Sequence, residues 1–203
     1  MQPTLTSSQR GALFGLDARI ALGIFAVMAV IATVVAYGRI TTAKQVALVA
    51  ELTAIDNALL NYQTDMGTFF LFTLNKEPDD TSSLDDITAL WNPEMVKEGF
   101  RKNWNGPYLM RETRRSREFG NYSFFYAQPD RKNYCTTTSA CHVWVSLTGV
   151  PAEMWDKVNT IFDEAGGKQR EEKGETLSTG RVQADAATSP RALFFRGIAR
   201  PQL

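Results

Sequence analysis

The sequence predicts an α+β fold in which a long N-terminal helix precedes a small head with an antiparallel β-sheet. An uncharged apolar run covers 20–38, and an amphipathic helical pattern follows it. Beyond that pattern, short aromatic and β-branched segments alternate with polar turns, which favours a sheet with helices packed on one face. The length of 203 residues allows one such domain with an appendage.

Charge balance and the scarcity of reactive side chains limit the possible functions. The 22 Lys and Arg residues equal the 22 Asp and Glu residues in number, so nucleic acid is not expected as the primary partner. One histidine and two cysteines leave few groups for a zinc site or a Ser-His-Asp relay. We therefore expect no enzyme activity, catalytic residue, metal or cofactor.

The apolar run at 20–38 has the length of a membrane span. As a helix it would extend about 28 Å, close to the ~30 Å hydrocarbon core of a bilayer. Arg19 and Arg39 flank the run, and their side chains can reach lipid headgroups. The alternatives are a buried core helix and a cleaved secretory signal, whose apolar region is usually shorter.

A second helical pattern continues the first. Apolar residues recur at intervals of three or four from Val46 to Tyr62, as in an amphipathic helix. Between 20 and 65, only Gly23 and Gly38 are unfavourable to a helix. The two patterns therefore predict one helical rod of about fifty residues that ends at Gly67.

The two cysteines indicate the compartment. Cys135 and Cys141 flank a Thr- and Ser-rich loop, which fits a disulfide formed under oxidising conditions. Metal binding is the alternative, although only His142 lies adjacent as a further ligand. The basic residues on the two sides of the span balance, so the cysteines decide the orientation. We expect the C-terminal part of the chain outside the cytoplasm.

Periodicity and turn residues predict the elements of the head. The expected strands are 108–110, 122–128, 142–147 and 192–198. The expected helices are 87–100 and 152–165, and the expected loops are 75–86, 102–107 and 166–180. The aromatic residues expected in the core are Trp104, Tyr122, Phe124, Tyr126, Trp144, Trp155 and Phe194.

Three polar features have competing interpretations. The Arg-rich segment 111–118 is interpreted as a solvated hairpin loop rather than a binding patch, because two Glu residues lie within it. His142 is interpreted as a residue at a strand end rather than a ligand. Paired carboxylates could bind calcium, although no Asp-x-Asp-x-Asp-Gly loop is present. These carboxylates are Asp79, Asp80, Asp85, Asp86, Asp163 and Glu164.

The order of the parts, and three local elements, resemble the type IV pilin and pseudopilin family. Within 43–67, Tyr62, Asp65 and Gly67 are similar to the Tyr-x-x-Asp-x-Gly-like element of major pseudopilins. The segment 104–109 (WNGPYL) resembles the Trp-x-x-Pro-Tyr element of pseudopilin heads. The segment 146–151 (SLTGVP), with the helix and last strand that follow, looks like class-b type IV pilins.

The resemblance implies a structural subunit of a type IV pilus or a type II secretion-like pseudopilus. Such a subunit is held in the bacterial inner membrane with a periplasmic head, and it polymerises through its N-terminal helix into a periplasmic or extracellular filament. The implied partners are copies of itself, related pilin subunits, a prepilin peptidase, an inner-membrane assembly platform and membrane lipid. The implied parts are a leader peptide at 1–12, a helical rod at 13–67 and a head at 68–203.

The resemblance also implies a processing site. Relatives carry a Glu as the fifth residue after the cleavage point, and the family's register puts an aspartate, Asp17, in that place. Cleavage after Gly11 or Ala12 is then expected, followed by N-terminal methylation; a cut after Ala12 leaves Leu13 first. A cut between Gly15 and Leu16 ranks lower, and an uncleaved chain is the remaining alternative.

The same register implies the assembly contact. In a filament core, the Asp17 carboxylate would be a buried charge that needs a partner. The implied partner is the N-terminal ammonium of a neighbouring subunit, and Arg19 of the same chain competes with it.

Phe69 and Phe70 replace the family's Tyr-Pro, and Trp155 stands where class-b pilins place a cysteine, which suggests a divergent or minor subunit. The alternative function is a membrane-anchored periplasmic binding or sensor module that does not polymerise.

Overall fold

The computed structural model of the protein describes residues 9–75, 82–83, 86–131, 135, 140–163, 180–184 and 191–200, with backbone alone at 9–14, 16, 82–83 and 191. The chain divides into two compact units, Met1–Lys44 and Gln45–Leu203. A long helix, α1 (Gln9–Met66), provides residues to both. A small antiparallel sheet in the second unit completes an α+β fold, so the general layout predicted from the sequence is confirmed.

The described part of the first unit is helical and apolar. Among the described residues, α1 is the helix long and apolar enough to cross a membrane by length and composition; its apolar window has a mean hydropathy of 2.5 and is 0% buried. Within the apolar run, the Thr33 hydroxyl donates to the Ala29 carbonyl over 2.7 Å, so this hydroxyl is satisfied inside the helix. The prediction of a long apolar N-terminal helix is confirmed.

In the second unit, one face of α1 enters the core. Its buried apolar residues begin at Leu48 and continue through Leu52, Ile55 and Leu59 to Tyr62, and Gln45 is buried one turn before them. The predicted stripe began two residues earlier, at Val46, which is instead 63% exposed.

The helix ends where the sequence predicts. Gly67 adopts a φ of +67°, a left-handed conformation that glycine accepts without steric cost. Its N–H donates to the Gln63 carbonyl over 3.0 Å, which satisfies one of the free carbonyls at the helix end.

The sheet of the second unit has five antiparallel strands in the order β1-β2-β3-β5-β4. In register, Tyr122 lies opposite Leu147 and Val145 lies opposite Phe195. The last strand in sequence is therefore an interior strand of the sheet. The bounds are β1 (Ser82–Ser83), β2 (Tyr122–Ala127), β3 (His142–Val150), β4 (Val182–Ala184) and β5 (Arg191–Ala199).

The inner face of the sheet packs against the second-unit part of α1. A Cβ placed on Gly197 of β5 would lie 3.3 Å from Leu59, which shows how closely β5 approaches the helix. Trp144 points to the opposite face, because side chains alternate along a strand. It is nevertheless fully buried, and its Nε1 donates to the Gln128 carbonyl over 3.2 Å. The main inner-face residues are Tyr122, Phe124, Tyr126, Val143, Val145, Leu147, Leu193 and Phe195.

Short helices complete the second unit. The helix α3 (Ala152–Phe162) buries Met154, Trp155 and Val158, and its Phe162 ring lies 4.9 Å from the Phe195 ring. A four-residue helix, α2 (Glu98–Arg101), follows three 3-10 turns at Phe70–Thr73, Asp86–Leu90 and Pro93–Met95.

Several predicted elements are confirmed and others are wrong. The strands expected at 122–128, 142–147 and 192–198 correspond to β2, β3 and β5, and the helix expected at 152–165 corresponds to α3. The strand expected at 108–110 is absent, because the Tyr108 N–H donates to the Leu90 carbonyl of a 3-10 turn instead of a ladder partner. The helix expected at 87–100 is broken into turns, where the Asn92 side chain accepts a hydrogen bond from the Glu94 N–H. The strands β1 and β4 were not predicted, and β1 lies within the loop expected at 75–86.

The remaining expectations have mixed outcomes. Of the expected core residues, Trp104 and Phe194 are half-buried, and the other five are buried. Within the loops expected at 75–86 and 166–180, residues 76–81, 84–85 and 166–179 lie outside the described residues. The segment 102–107 lacks helix and strand beyond a terminal turn, as expected for a loop.

Candidate functional site

The element at 62–67 and the element at 104–109 contact each other. The Tyr108 hydroxyl donates to Asp65 Oδ2 over 2.8 Å and accepts a hydrogen bond from the Asn105 N–H over 2.9 Å. The Tyr108 ring lies edge-on to the Tyr62 ring, with 5.3 Å between centroids. The last turn of α1 is thereby tied to the 104–109 loop.

The Tyr62 side chain extends this contact into the core. It is fully buried, and its hydroxyl lies 2.7 Å from the Thr73 hydroxyl. Because the Thr73 hydroxyl donates to the Phe70 carbonyl, the Tyr62 hydroxyl acts as the donor to Thr73. Burial raises the pKa of Tyr62 to about 12, and burial with the Asp65 hydrogen bond does the same for Tyr108. Both hydroxyls therefore stay protonated at neutral pH.

Trp104 fixes the other end of the loop. Its Nε1 donates to the Ala89 carbonyl over 3.1 Å, and its ring lies 5.7 Å from the Tyr108 ring in an edge-on arrangement. The aromatic members of both elements thus belong to one connected cluster. This arrangement fixes the end of a helix.

A second polar cluster joins α1 to the Arg-rich segment. Glu51 Oε2 accepts hydrogen bonds from the Tyr122 hydroxyl over 2.6 Å and the Ser116 hydroxyl over 3.0 Å. Arg111 Nη2 lies 2.9 Å from the same oxygen, and its guanidinium carbon lies 5.0 Å from the Tyr122 ring centre. Only 14% of the Glu51 side chain and 16% of the Arg111 side chain are exposed.

The electrostatics of this cluster favour an ionised Glu51. Burial acts to raise the pKa of Glu51, but the hydrogen bond from Tyr122 and the charge and hydrogen bond of Arg111 together lower it below its ordinary value. Burial and the Glu51 carboxylate raise the pKa of Tyr122. The segment 111–118 lacks helix and strand apart from an isolated bridge between Arg115 and Asn121. It is not the predicted hairpin loop, because no strand directly precedes it, and Arg111 is not solvated as that interpretation implied. Arg115 and Arg117 are exposed.

Two of the carboxylates considered as calcium ligands, Asp86 and Asp163, lie within the described residues, and both accept hydrogen bonds from the protein. Asp86 is buried and accepts from the Tyr126 hydroxyl over 2.7 Å. Asp163 accepts from the backbone N–H groups of Arg181 and Val182 over 2.6 Å and 2.8 Å. The Arg181 side chain also pairs with Asp56 of α1. The other four carboxylates lie outside the described residues: Asp79, Asp80, Asp85 and Glu164.

The cysteine pair lies at the start of β3. Cys135 and Cys141 are joined as a disulfide, with 5.4 Å between their Cα atoms. His142, the first residue of β3, follows directly. Burial, with a smaller contribution from the charge of Arg196, lowers the pKa of His142 to about 4. Its Nδ1 is buried and has no hydrogen-bond partner among the described residues.

The predicted processing and assembly residues lie on α1. Asp17, Arg19 and Gly15 are exposed, and the backbones of Gly11, Ala12, Leu13 and Leu16 are helical. Residues two apart on a helix do not face each other, so Arg19 is poorly placed to pair with Asp17 of the same chain.

Comparisons with known proteins yield no relative from which a role for these residues can be taken. No protein-family model, characterised protein or solved structure matches this chain.

Proposed function

We propose that this chain is a structural subunit of a type IV pilus or a type II secretion-like pseudopilus. The apolar part of α1 holds the subunit in the bacterial inner membrane with its head in the periplasm. After a prepilin peptidase removes the leader, an assembly platform draws subunits into a filament through the same helix. The observation that carries the proposal is the complete exposure of the apolar part of α1.

This exposure requires an apolar environment outside the monomer. Every described side chain from Asp17 to Ile40 is exposed, including Phe25 at 75% and Leu22 at 70%. Apolar residues lie on all sides of the helix rather than on one stripe, so a single docking groove would not cover them. A bilayer covers all sides, and so does a bundle of helices from neighbouring subunits.

The contact between Asp65 and Tyr108 supports the proposal from the side of the head. Two of the three elements that carry the pilin-like resemblance, 62–67 and 104–109, are far apart in sequence, yet their residues Tyr62, Asp65, Trp104 and Tyr108 form one cluster. The contact holds the last turn of α1 within the second unit, which is the part that the proposal assigns to the filament surface. The departures at Phe69, Phe70 and Trp155 suggest a divergent or minor subunit.

Mass spectrometry of the mature N-terminus tests the proposal. The full-length protein is expressed with and without a prepilin peptidase, and the membrane fraction is compared with the sedimentable filament fraction. We expect an N-terminus at Leu13, or at Ala12, that depends on the peptidase and is methylated. An uncleaved chain that remains a monomer in detergent would instead identify an anchored binding or sensor module and overturn the proposal.

A further inference from the structure

The loop that carries the Tyr108 contact contains an asparagine followed by a glycine. Asn105–Gly106 is the only Asn-Gly pair in the sequence. Asn105 is exposed, and neither its side-chain amide nor the Gly106 N–H makes a hydrogen bond to any described residue. Within the described part of the chain, both reacting groups of this Asn-Gly pair are therefore free of hydrogen bonds.

The structure also explains why glycine occupies this position. A Cβ on residue 106 would lie 2.5 Å from Cζ2 and 2.9 Å from Cε2 of Trp104. Trp104 cannot easily move aside, because it donates to the Ala89 carbonyl and packs against the Tyr108 ring. Packing against Trp104 thus requires glycine at position 106. Because glycine has no side chain, its backbone nitrogen is more accessible than that of any other residue.

We propose that Asn105 is a site of spontaneous deamidation. The backbone nitrogen of Gly106 attacks the Asn105 side-chain carbonyl carbon, a C–N bond forms, and the amide nitrogen leaves as ammonia. The resulting five-membered succinimide is opened by one water molecule at either carbonyl. One opening gives aspartate and the other gives isoaspartate, in which the main chain runs through the former side chain.

The two products have different consequences for the head. Isoaspartate lengthens the main chain between residue 105 and Gly106 by one methylene group. The N–H of residue 105 donates to the Tyr108 hydroxyl, which in turn donates to Asp65, so the added length displaces the middle of this chain of hydrogen bonds. Aspartate retains the original backbone path. The isoaspartyl form should therefore weaken the connection between α1 and the 104–109 loop.

The test uses the folded full-length protein, aged in detergent at mildly alkaline pH. Peptide mapping with electron-transfer fragmentation follows each asparagine and distinguishes aspartate from isoaspartate. We expect conversion at Asn105 to outpace conversion at every other mapped asparagine, with isoaspartate as the main product. The unfolding midpoint should fall in proportion to the isoaspartate content.

Two variants provide the controls. Asn105→Gln removes the reactive residue and should keep its unfolding midpoint on ageing. Asn103→Gln, which lies in the same loop but precedes Trp104, should age like the parent. Conversion at Asn105 that occurs only in denatured protein would overturn the proposal, because the folded loop would then be protective. Equal loss of stability in aged Asn105→Gln would overturn the effect assigned to isoaspartate.

Discussion

The hydroxyl of Tyr108 donates a hydrogen bond to the carboxylate of Asp65, 43 residues earlier in the chain, over 2.8 Å. The bond joins the last turn of α1 to a loop that contains neither helix nor strand. A hydrogen bond to a charged acceptor stabilises a fold more than one between neutral groups does. This contact is therefore a specific point at which the stability of the second unit can be tested.

Tyr108→Phe removes the hydroxyl and keeps the ring. We expect a loss of about 1–2 kcal/mol in the free energy of unfolding, since a charge-assisted hydrogen bond is lost while the contact with Tyr62 remains. Guanidinium denaturation followed by tryptophan fluorescence measures it. Asp65→Asn and the double variant complete a double-mutant cycle. Strict additivity of the two single effects would show that the two groups do not interact.

A truncated chain that begins at Thr41 should be soluble and monomeric. It lacks the exposed apolar residues of the first unit and retains the second unit, whose core contains the α1 residues from Leu48 onward. Size-exclusion chromatography with light scattering checks this expectation, with the detergent-solubilised full chain as the control. Aggregation of the truncated chain would mean that the second unit depends on the segment before residue 41.

Glu51 should make the free energy of unfolding of the second unit depend on pH in the acidic range. Its pKa is lower in the folded protein than its ordinary value of 4.5, so its stabilisation is fully present above pH 4.5. That stabilisation is lost as the pH falls through the folded-state pKa, when the carboxylate takes up a proton. Glu51→Gln should lower stability at neutral pH and flatten the decline below pH 4.5. An unchanged pH profile in this variant would contradict the proposed role of its ionised form.

His142 should make the stability of the second unit depend on pH in a different range. Its folded pKa is about 4 and its ordinary value is 6.5, so the unfolded chain takes up a proton first as the pH falls. Stability due to the neutral imidazole is complete above pH 6.5 and declines between pH 6.5 and about 4. Denaturation of His142→Gln across this range should show a shallower slope than the parent. Glu51→Gln serves as the matched control, because it should leave the slope above pH 4.5 intact.

Asp17 should be needed for assembly and not for folding of the second unit. Exposed on α1, it can remain hydrated near a membrane surface, but as a buried charge in the proposed filament core it would need an amine partner. Asp17→Ala should reduce the sedimentable filament and leave expression and head stability unchanged, and Asp17→Glu should retain assembly. Arg19→Ala is the control. Loss of filament with Arg19→Ala alone would assign the contact to the arginine.

The sequence was informative where a single physical pattern extended over many residues. The apolar run and the stripe from Val46 to Tyr62 are long enough for periodicity to predict α1, and Gly67 marks its end. The aromatic and β-branched composition predicted β2, β3 and β5. At the beginning of the stripe, periodicity alone did not distinguish exposed Val46 from buried Leu48, because both are apolar.

The polar contacts could not be predicted in the same way. Tyr108 is an aromatic residue in an extended segment, which favours a strand, but its ring and hydroxyl are engaged by Tyr62 and Asp65. Arg111 lies in a charged segment whose sequence predicts a solvated loop, yet it pairs with Glu51 of α1. These pairings depend on tertiary distances that no local pattern encodes. The three residues of β4 are too few for any period to be recognised.

The strand order has a consequence for the synthesis of the protein. Because β5 lies between β3 and β4 among the described strands, β4 and one edge of β3 have no ladder partner until Arg191–Ala199 has left the ribosome. A nascent chain in that condition presents an open edge beside Trp144, and such edges pair readily with other extended chains. Any delay in translation before residues 191–199 are complete therefore lengthens the period in which this chain can aggregate. Synonymous codon changes or stalling in that short region should lower the yield of protein without altering a single contact of the finished fold.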